Sequence, residues 1–258
     1  MRHHCDEPYV LLYVERWLKA PVSREDGQLV ERDRGSPQGS AISPLLANLF
    51  MHYAFDAWIA REFPHVQFER YCDDMVIHCA SERQARMLRG KITERFRACG
   101  LELNREKTRT VYCKDSNRKG SHEHEQFTFL GYTFRPRSAK NKHGVLFVNF
   151  SPAISPMAVK AIGRMIRRWR LHRRTGTTLK DLADEINLVV RGWLNYYGLF
   201  YTFKLTLLLK RINTYLVRWL QRKYKRLRHR PRRARQLLAS VAGREPGLFA
   251  HWTAGARP

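Results

Sequence analysis

Residues 66–79 read VQFERYCDDMVIHC, two runs of strand-forming residues on either side of a Cys-Asp-Asp step. Runs this short and this close have one simple solution, an antiparallel hairpin with Asp73 and Asp74 at or beside its turn. Unpaired buried charge is avoided unless a cation or a set of hydrogen bonds compensates it, so the pair is either a solvated turn or a cation site. An Asp-Asp pair taken alone is more often solvated.

The flanking sequence carries its own local instructions. PYVLLYVERWLK (8–19) places Val10, Leu11, Val14, Trp17 and Leu18 at helical spacing, and the turn residues Glu25, Asp26 and Gly27 separate two strand-like pieces after it. Ser43 and Pro44 cap and open a long helix, SPLLANLFMHYAFDAWIAREF, whose Leu45, Leu46, Leu49, Tyr53 and Ile59 predict a mostly buried element. Beyond the hairpin, Ala85, Leu88, Ile92 and Phe96 mark an amphipathic helix over 82–99, stopped by Gly100. TRTVYC (108–113), FTFLGYTF (127–134) and GVLFVNF (144–150) read as strands, with a polar loop between the first two. Helix, hairpin, helix and strands in this order give an α+β fold.

SPAISP at 151–156 disfavours continuous helix, and the remainder of the chain is helical and basic in pattern, which places a domain boundary between 150 and 151. Three helices are expected there. Their apolar seams are Ile162, Met165, Ile166 and Trp169; Leu182, Ile186, Val189 and Trp193; and Leu205, Leu208, Ile212, Tyr215 and Trp219, mostly the core of a small bundle. The chain carries 48 Lys and Arg against 23 Asp and Glu, a net charge of +25. Residues 151–258 hold 24 basic and 4 acidic groups, whereas residues 1–150 hold 24 and 19. The excess in the second part exceeds what solubility needs and predicts a polyanionic partner.

The five cysteines are odd in number and show no CxxC pairing, so reduced thiols are expected, with neither a disulfide framework nor a zinc ribbon. HHCDE (3–7) and HEH (122–124) contain metal-ligating residue types, but short polar clusters at a terminus or in a loop more often hold nothing. No apolar run approaches the roughly 20 residues of a spanning helix, and no signal peptide is expected from the opening residues. A soluble cytoplasmic protein with no membrane partner is the expectation.

YCDD (71–74) comes after RGSPQGSAISPLLANLF and precedes GLELNREKT and FLGYTF. In this order and at these distances the four motifs resemble those of group II intron-encoded reverse transcriptases and maturases. The likeness continues through EINLVVRGWLNYYG, RWLQRKYKRLRHR and LFAHW, and so covers nearly the whole chain. It implies a partial reverse-transcriptase palm over 1–150 and an all-α thumb and maturase domain over 151–258. It further implies RNA-directed DNA polymerisation with Mg²⁺, and a group II intron RNA, a DNA primer and dNTPs as partners. The chemistry is two-metal phosphoryl transfer, in which carboxylates converge on two ions about 3.5–4 Å apart.

By the same resemblance, Asp73 and Asp74 would hold metal, and Tyr71 and Cys72 would lie beside the primer terminus and the incoming nucleotide. Cys72 stands where the family usually has Ala, a small-for-small change; read alone it is a packed thiol. Pro37, Gln38 and Gly39, with Gly35, would lie along the nascent pair, where glycine permits close approach. Ser36 stands where Thr is common and Ser40 where a second Gly is usual. Lys107 would sit near the triphosphate, its plain alternative being a solvated loop lysine. Gly131 would bring the backbone to the primer strand; read alone it is a strand glycine at a bulge. Arg191, Tyr196, Arg222, Lys223, Lys225 and Arg226 are expected to contact RNA through phosphate pairing and stacking, with Trp193 in the core.

The resemblance also implies a fingers region and a first palm strand, bearing a further metal-binding Asp, ahead of the matched part, and the chain is expected to begin after them. Asp6, Asp26, Asp33 and Asp56 precede the hairpin, but none lies in a strand-like apolar context. No cysteine comes after Cys113, so no C-terminal zinc-type endonuclease module is expected. Two readings of different class result: a polymerase by descent, or a non-enzymatic RNA-binding maturase remnant.

Overall fold

Apolar side chains gather into two separate cores, one in each of two units, Met1–Thr110 and Val111–Pro258. The structure is a computed structural model, and it describes residues 1–23, 26–31, 35, 39–118 and 120–258. Among the described residues no helix is long and apolar enough to cross a membrane.

In the first unit, Pro8 opens α1 (Pro8–Lys19), of which only Val14 is buried, while Val10, Trp17 and Leu18 of the predicted seam stay exposed. β1 (Val22–Ser23) pairs antiparallel with β2 (Leu29–Val30). The predicted long helix is three segments run together: α2 (Ser43–Met51), a π-helical turn over His52–Asp56, and α3 (Ala57–Glu62). Its burial is restricted to the second half, at Ala54, Phe55 and Ile59; Leu45 and Tyr53, predicted to be buried, face solvent. β3 (Phe68–Tyr71) and β4 (Asp74–Ile77) form the expected hairpin. α4 (Glu82–Ala98) begins where Ser81 Oγ accepts from the Gln84 N–H at 3.2 Å, and it ends before Gly100 at φ +72°. Phe55, Ile59, Leu88, Ile92 and Phe96 form the core, so α4 and the π segment clasp the hairpin's Phe68, Met75 and Ile77.

Residues 108–113, where the first unit passes into the second, form no strand. The Tyr112 N–H donates to the His124 carbonyl at 2.8 Å, with no ladder beside it. The sheet is a meander of β5 (Phe127–Phe129), β6 (Tyr132–Lys140) and β7 (Leu146–Ile154). β7 runs through the first Ser-Pro step, with Pro152 opposite Phe134, as an edge strand tolerates. The second Ser-Pro step starts a helix: Ser155 Oγ accepts from the Ala158 N–H at 3.1 Å and Pro156 opens α5 (Pro156–Arg168). α6 (Leu179–Tyr197) and α7 (Phe203–Lys223) complete the expected three helices, and α8 (Pro231–Arg244) and α9 (Ala250–Thr253) add two that the seams did not reveal. Leu182, Ile186, Leu209, Ile212, Leu216 and Trp219 are fully buried.

Two buried asparagines fasten the chain's last segment to this core. Asn187 donates to the Leu248 carbonyl and accepts from the Ala250 N–H. Asn213 Nδ2 donates to the Ala256 carbonyl, and its Oδ1 accepts from Trp252 Nε1 at 2.9 Å and from His251 Nε2 at 2.8 Å. A carboxamide oxygen only accepts, so His251 carries its proton on Nε2, and Nδ1 is left buried without a partner. Burial lowers the His251 pKa to about 3.

Candidate metal and nucleic-acid sites

Tyr71 pairs directly with Asp74, so Cys72 and Asp73 are the two turn residues of the β3–β4 hairpin. Cys72 has φ +54°, the left-handed backbone that tight hairpin turns demand. Tyr71, Cys72, Asp73 and Asp74 are all exposed, and neither aspartate has an ion pair among the described residues. The pair therefore sits on a solvent-facing tip backed by a packed hairpin. Its oxygens suit a hard divalent cation by donor type. As a set it is two carboxylates: among the described residues no third His, Cys, Asp or Glu gathers with it. Of the upstream candidates, Asp33 lies outside the described residues. Asp56 has both oxygens engaged by Arg70, at 2.7 Å from Nε and 2.6 Å from Nη2.

The nucleotide-loop residues Pro37 and Gln38 also lie outside the described residues. Gly39 is described, at φ +86° with open space where a side chain would start. Lys107 is exposed in a turn nucleated by Asn104, whose Oδ1 accepts from the Glu106 and Lys107 N–H groups at 3.1 Å. The polar clusters form no metal group among the described residues: His4 Nε2 meets the Tyr53 hydroxyl at 2.5 Å, and the His122 ring lies 4.1 Å from that of Tyr112.

The second unit holds the glycine turn. Leu130 and Gly131 link β5 to β6 at φ +49° and +77°. A Cβ at Gly131 would come within 2.8 Å of the Tyr197 hydroxyl, so both backbone and contact require glycine there. Tyr196 donates its hydroxyl to the Leu130 carbonyl at 2.8 Å, and the Tyr132 hydroxyl donates to the Tyr196 carbonyl. Tyr196 thus braces this turn, while 48% of it remains exposed. Burial raises the Tyr132 and Tyr197 pKa values. Trp193 is half-buried against the core and stacks on Trp169 at 5.4 Å.

Of the basic residues singled out, Arg191, Arg222, Lys225 and Arg226 are exposed. Lys223 is committed inward: Nζ donates to the Thr177 carbonyl and lies 4.9 Å over the Trp219 ring. Two basic groupings are not evident from the sequence. Arg170, Arg173, Arg218 and Arg222 surround His172, and burial, then these charges, lower its pKa. Arg137 is 7% exposed, bonded through Nε to the Ser151 carbonyl and through Nη2 to the Thr133 carbonyl, with Tyr201 5.3 Å away. Burial and the neighbouring Arg135 lower its pKa, and burial with both arginines lowers that of Lys204. The period-2 spacing of Arg135 and Arg137 is visible in the chain; their shared neighbour on α7 is not.

The described residues thus hold an exposed two-aspartate turn, a braced glycine turn and a set of exposed arginines. A family model described as reverse transcriptase (RNA-dependent DNA polymerase) matches residues 2–134, and one described as group II intron, maturase-specific domain matches residues 159–238. The first spans more than half of the 258 residues, and the chain belongs to this family, as a group II intron reverse transcriptase/maturase. No curated protein matches the chain.

Proposed function

We propose that the chain serves RNA-directed DNA synthesis and binds its intron RNA in support of splicing, with Asp73 and Asp74 as the metal-binding pair. The observation that carries this is the hairpin turn: a rigid, exposed tip presenting two adjacent carboxylates in a family that generally uses divalent metal. Bound Mg²⁺ would supply the charge that activates a primer hydroxyl and stabilises the leaving pyrophosphate. Tyr71 offers a flat exposed ring beside the pair, suited to a sugar or base of the primer terminus or dNTP. Lys107 offers an exposed ammonium to a triphosphate. The Leu130–Gly131 turn would lie along the primer strand, with Tyr197 packed where a side chain at Gly131 would stand. The arginines around His172, with Arg191, Lys225 and Arg226, offer phosphate contacts to intron RNA.

A second reading, RNA binding without polymerisation, is favoured by the separation of charge. The arginines named above belong to the second unit and need no carboxylate to bind RNA. Primer extension and filter binding on one preparation decide between them. Asp73→Asn is expected to lower extension by about 10²-fold or more while changing RNA affinity less than about twofold. Extension retained by the Asn variant removes the metal role. Salt-sensitive RNA binding without extension by the unaltered protein selects the second reading.

A further inference from the structure

Arg70 lies on β3, two residues before Cys72, with its side chain 11% exposed. A guanidinium largely withdrawn from water needs its charge balanced and its donors filled. Here one group does both and reaches three parts of the chain. Besides the two bonds to Asp56, Nη1 donates to Asn48 Oδ1 at 3.0 Å and to the Cys72 carbonyl at 2.8 Å. The pairing raises the Arg70 pKa through the Asp56 hydrogen bonds, so the cation is permanent.

The π segment explains how Asn48 and Asp56 share one partner. At roughly 100° per residue, positions eight apart on an unbroken α-helix point about 80° away from each other. A π turn absorbs one extra residue, so the spacing behaves as about seven, and the two side chains come within about 20° of alignment. The Ala57 N–H bonds the His52 carbonyl, five residues back, which places the extra residue inside this interval. The bulge is thus what turns Asp56 towards Arg70.

What this fork holds is the strained residue. Cys72 is a non-glycine residue in the left-handed region, a conformation that persists where surrounding bonds over-determine it. Its carbonyl accepts a charge-assisted bond from a guanidinium that is itself anchored at two other points. Asp73 is the next residue, and Asp74 begins β4.

We propose that Arg70 is a positioning residue for the Asp73–Asp74 pair, holding the Cys72 carbonyl through an anchor on Asp56 and Asn48. Asp56 then serves the site as the anchor's carboxylate. The inference rests on the reading of this turn as the metal-binding element, but its primary test needs no polymerase activity.

The test is amide hydrogen exchange on the full chain. Removing Arg70 alone strands a buried carboxylate, so Arg70→Met is combined with Asp56→Leu, which deletes both charges together. Exchange at residues 71–75 is expected to rise about tenfold or more, with the amides of α4 (Glu82–Ala98) unchanged. Asn48→Ala, which keeps the ion pair, is expected to give a smaller rise at the same residues, and Arg70→Lys a partial return towards the unaltered rates. Mn²⁺ titration followed by electron paramagnetic resonance gives the second readout: weaker Mn²⁺ binding in the double variant accompanies the local loosening. Unchanged exchange at 71–75 in the folded double variant overturns the proposal. Acceleration spread over Met1–Thr110 also overturns it, by making the pair a general packing contact. If exchange rises locally while Asp73→Asn retains extension, the clamp stands and the functional reading falls.

Discussion

Met1–Thr110 holds 17 basic and 16 acidic residues, a net +1, whereas Val111–Pro258 holds 31 and 7, a net +24. In the first unit cations meet carboxylates: Lys19 with Glu15, Arg86 with Glu82, Lys91 with Glu94, and the partly buried Arg70 with Asp56. Exposed pairs of this kind contribute little stability, but they leave the unit without a strong field of its own. Asp73 and Asp74 are among the carboxylates of this unit with no cation paired to them among the described residues, and they are set apart by lying side by side at a hairpin turn. The second unit inverts the pattern. Its arginines around His172 have no carboxylate paired to them among the described residues, and the resulting self-repulsion is borne by a large apolar core. The first unit is thus nearly neutral and the second strongly cationic.

The sharpest way to break this contrast is to neutralise one cluster in each unit. Replacing Arg170, Arg173, Arg218 and Arg222 with Gln is expected to flatten the slope of log affinity against log salt for RNA by up to ~3–4 units, if each contacts one phosphate. Replacing Arg83, Arg86, Arg89 and Lys91 on α4 is expected to leave the slope nearly unchanged. Salt titrations on both variants, with circular dichroism to establish folding, make the comparison. Equal slopes in the two variants would remove the division of labour. Lys223, which the sequence suggests for this set, is left out because its ammonium is already bonded within the unit.

Legibility in the sequence divides along similar lines. The β3–β4 hairpin is legible because two strand runs separated by two residues leave little freedom; the seams of α5, α6 and α7 are legible for the most part, at Ile162, Ile166, Leu182, Ile186, Leu205, Leu208, Ile212 and Trp219, whereas Met165 and Val189 of the expected seams are exposed. The segment 108–113 has strand composition, yet it forms no ladder, and composition does not say whether a partner strand will lie alongside. The π turn at His52–Asp56 leaves no mark in apolar spacing, so the Arg70 fork is invisible there, and Asp56 reads as one helical residue among others. The buried Asn187 and Asn213 are hidden for a related reason. A polar residue inside an apolar seam declares its role only when its partners, here 38 to 63 positions away, are known.

A smaller effect separates the units by pH. His251 titrates near 6.5 in an unfolded chain but near 3 when buried. Below pH 6.5 the unfolded state therefore binds more protons, and stability that is complete above this value declines as pH falls. Between pH 6.5 and 5, ahead of most carboxylate titration, the second unit should lose about 2 kcal/mol. His172, also lowered, acts in the same direction. His251→Gln keeps a donor for Asn213 and removes the titration, so thermal melts of this variant should show a flatter dependence over that window. A dependence as steep as that of the unaltered protein would place the titrating group elsewhere.

The smallest expected effects lie at two helix starts that use different chemistry. Ser81 caps α4 through an uncharged hydroxyl, and Ser81→Ala should cost about 1 kcal/mol, independent of pH between 7 and 3. Thr178 caps α6 in a reciprocal box: its hydroxyl accepts from the Asp181 N–H at 3.1 Å, while Asp181 accepts from the Thr178 N–H at 2.8 Å. These bonds lower the Asp181 pKa, so its share of the cap is complete above the ordinary carboxylate value and is lost as pH falls through the lowered one. Comparing Asp181→Asn with the unaltered protein should therefore show a difference at pH 7 that narrows towards pH 3. Ser81→Ala should show none of this narrowing, because no titrating group takes part in its cap. A difference for Asp181→Asn that stays constant over the range would mean that the α6 cap acts through the Thr178 hydroxyl alone.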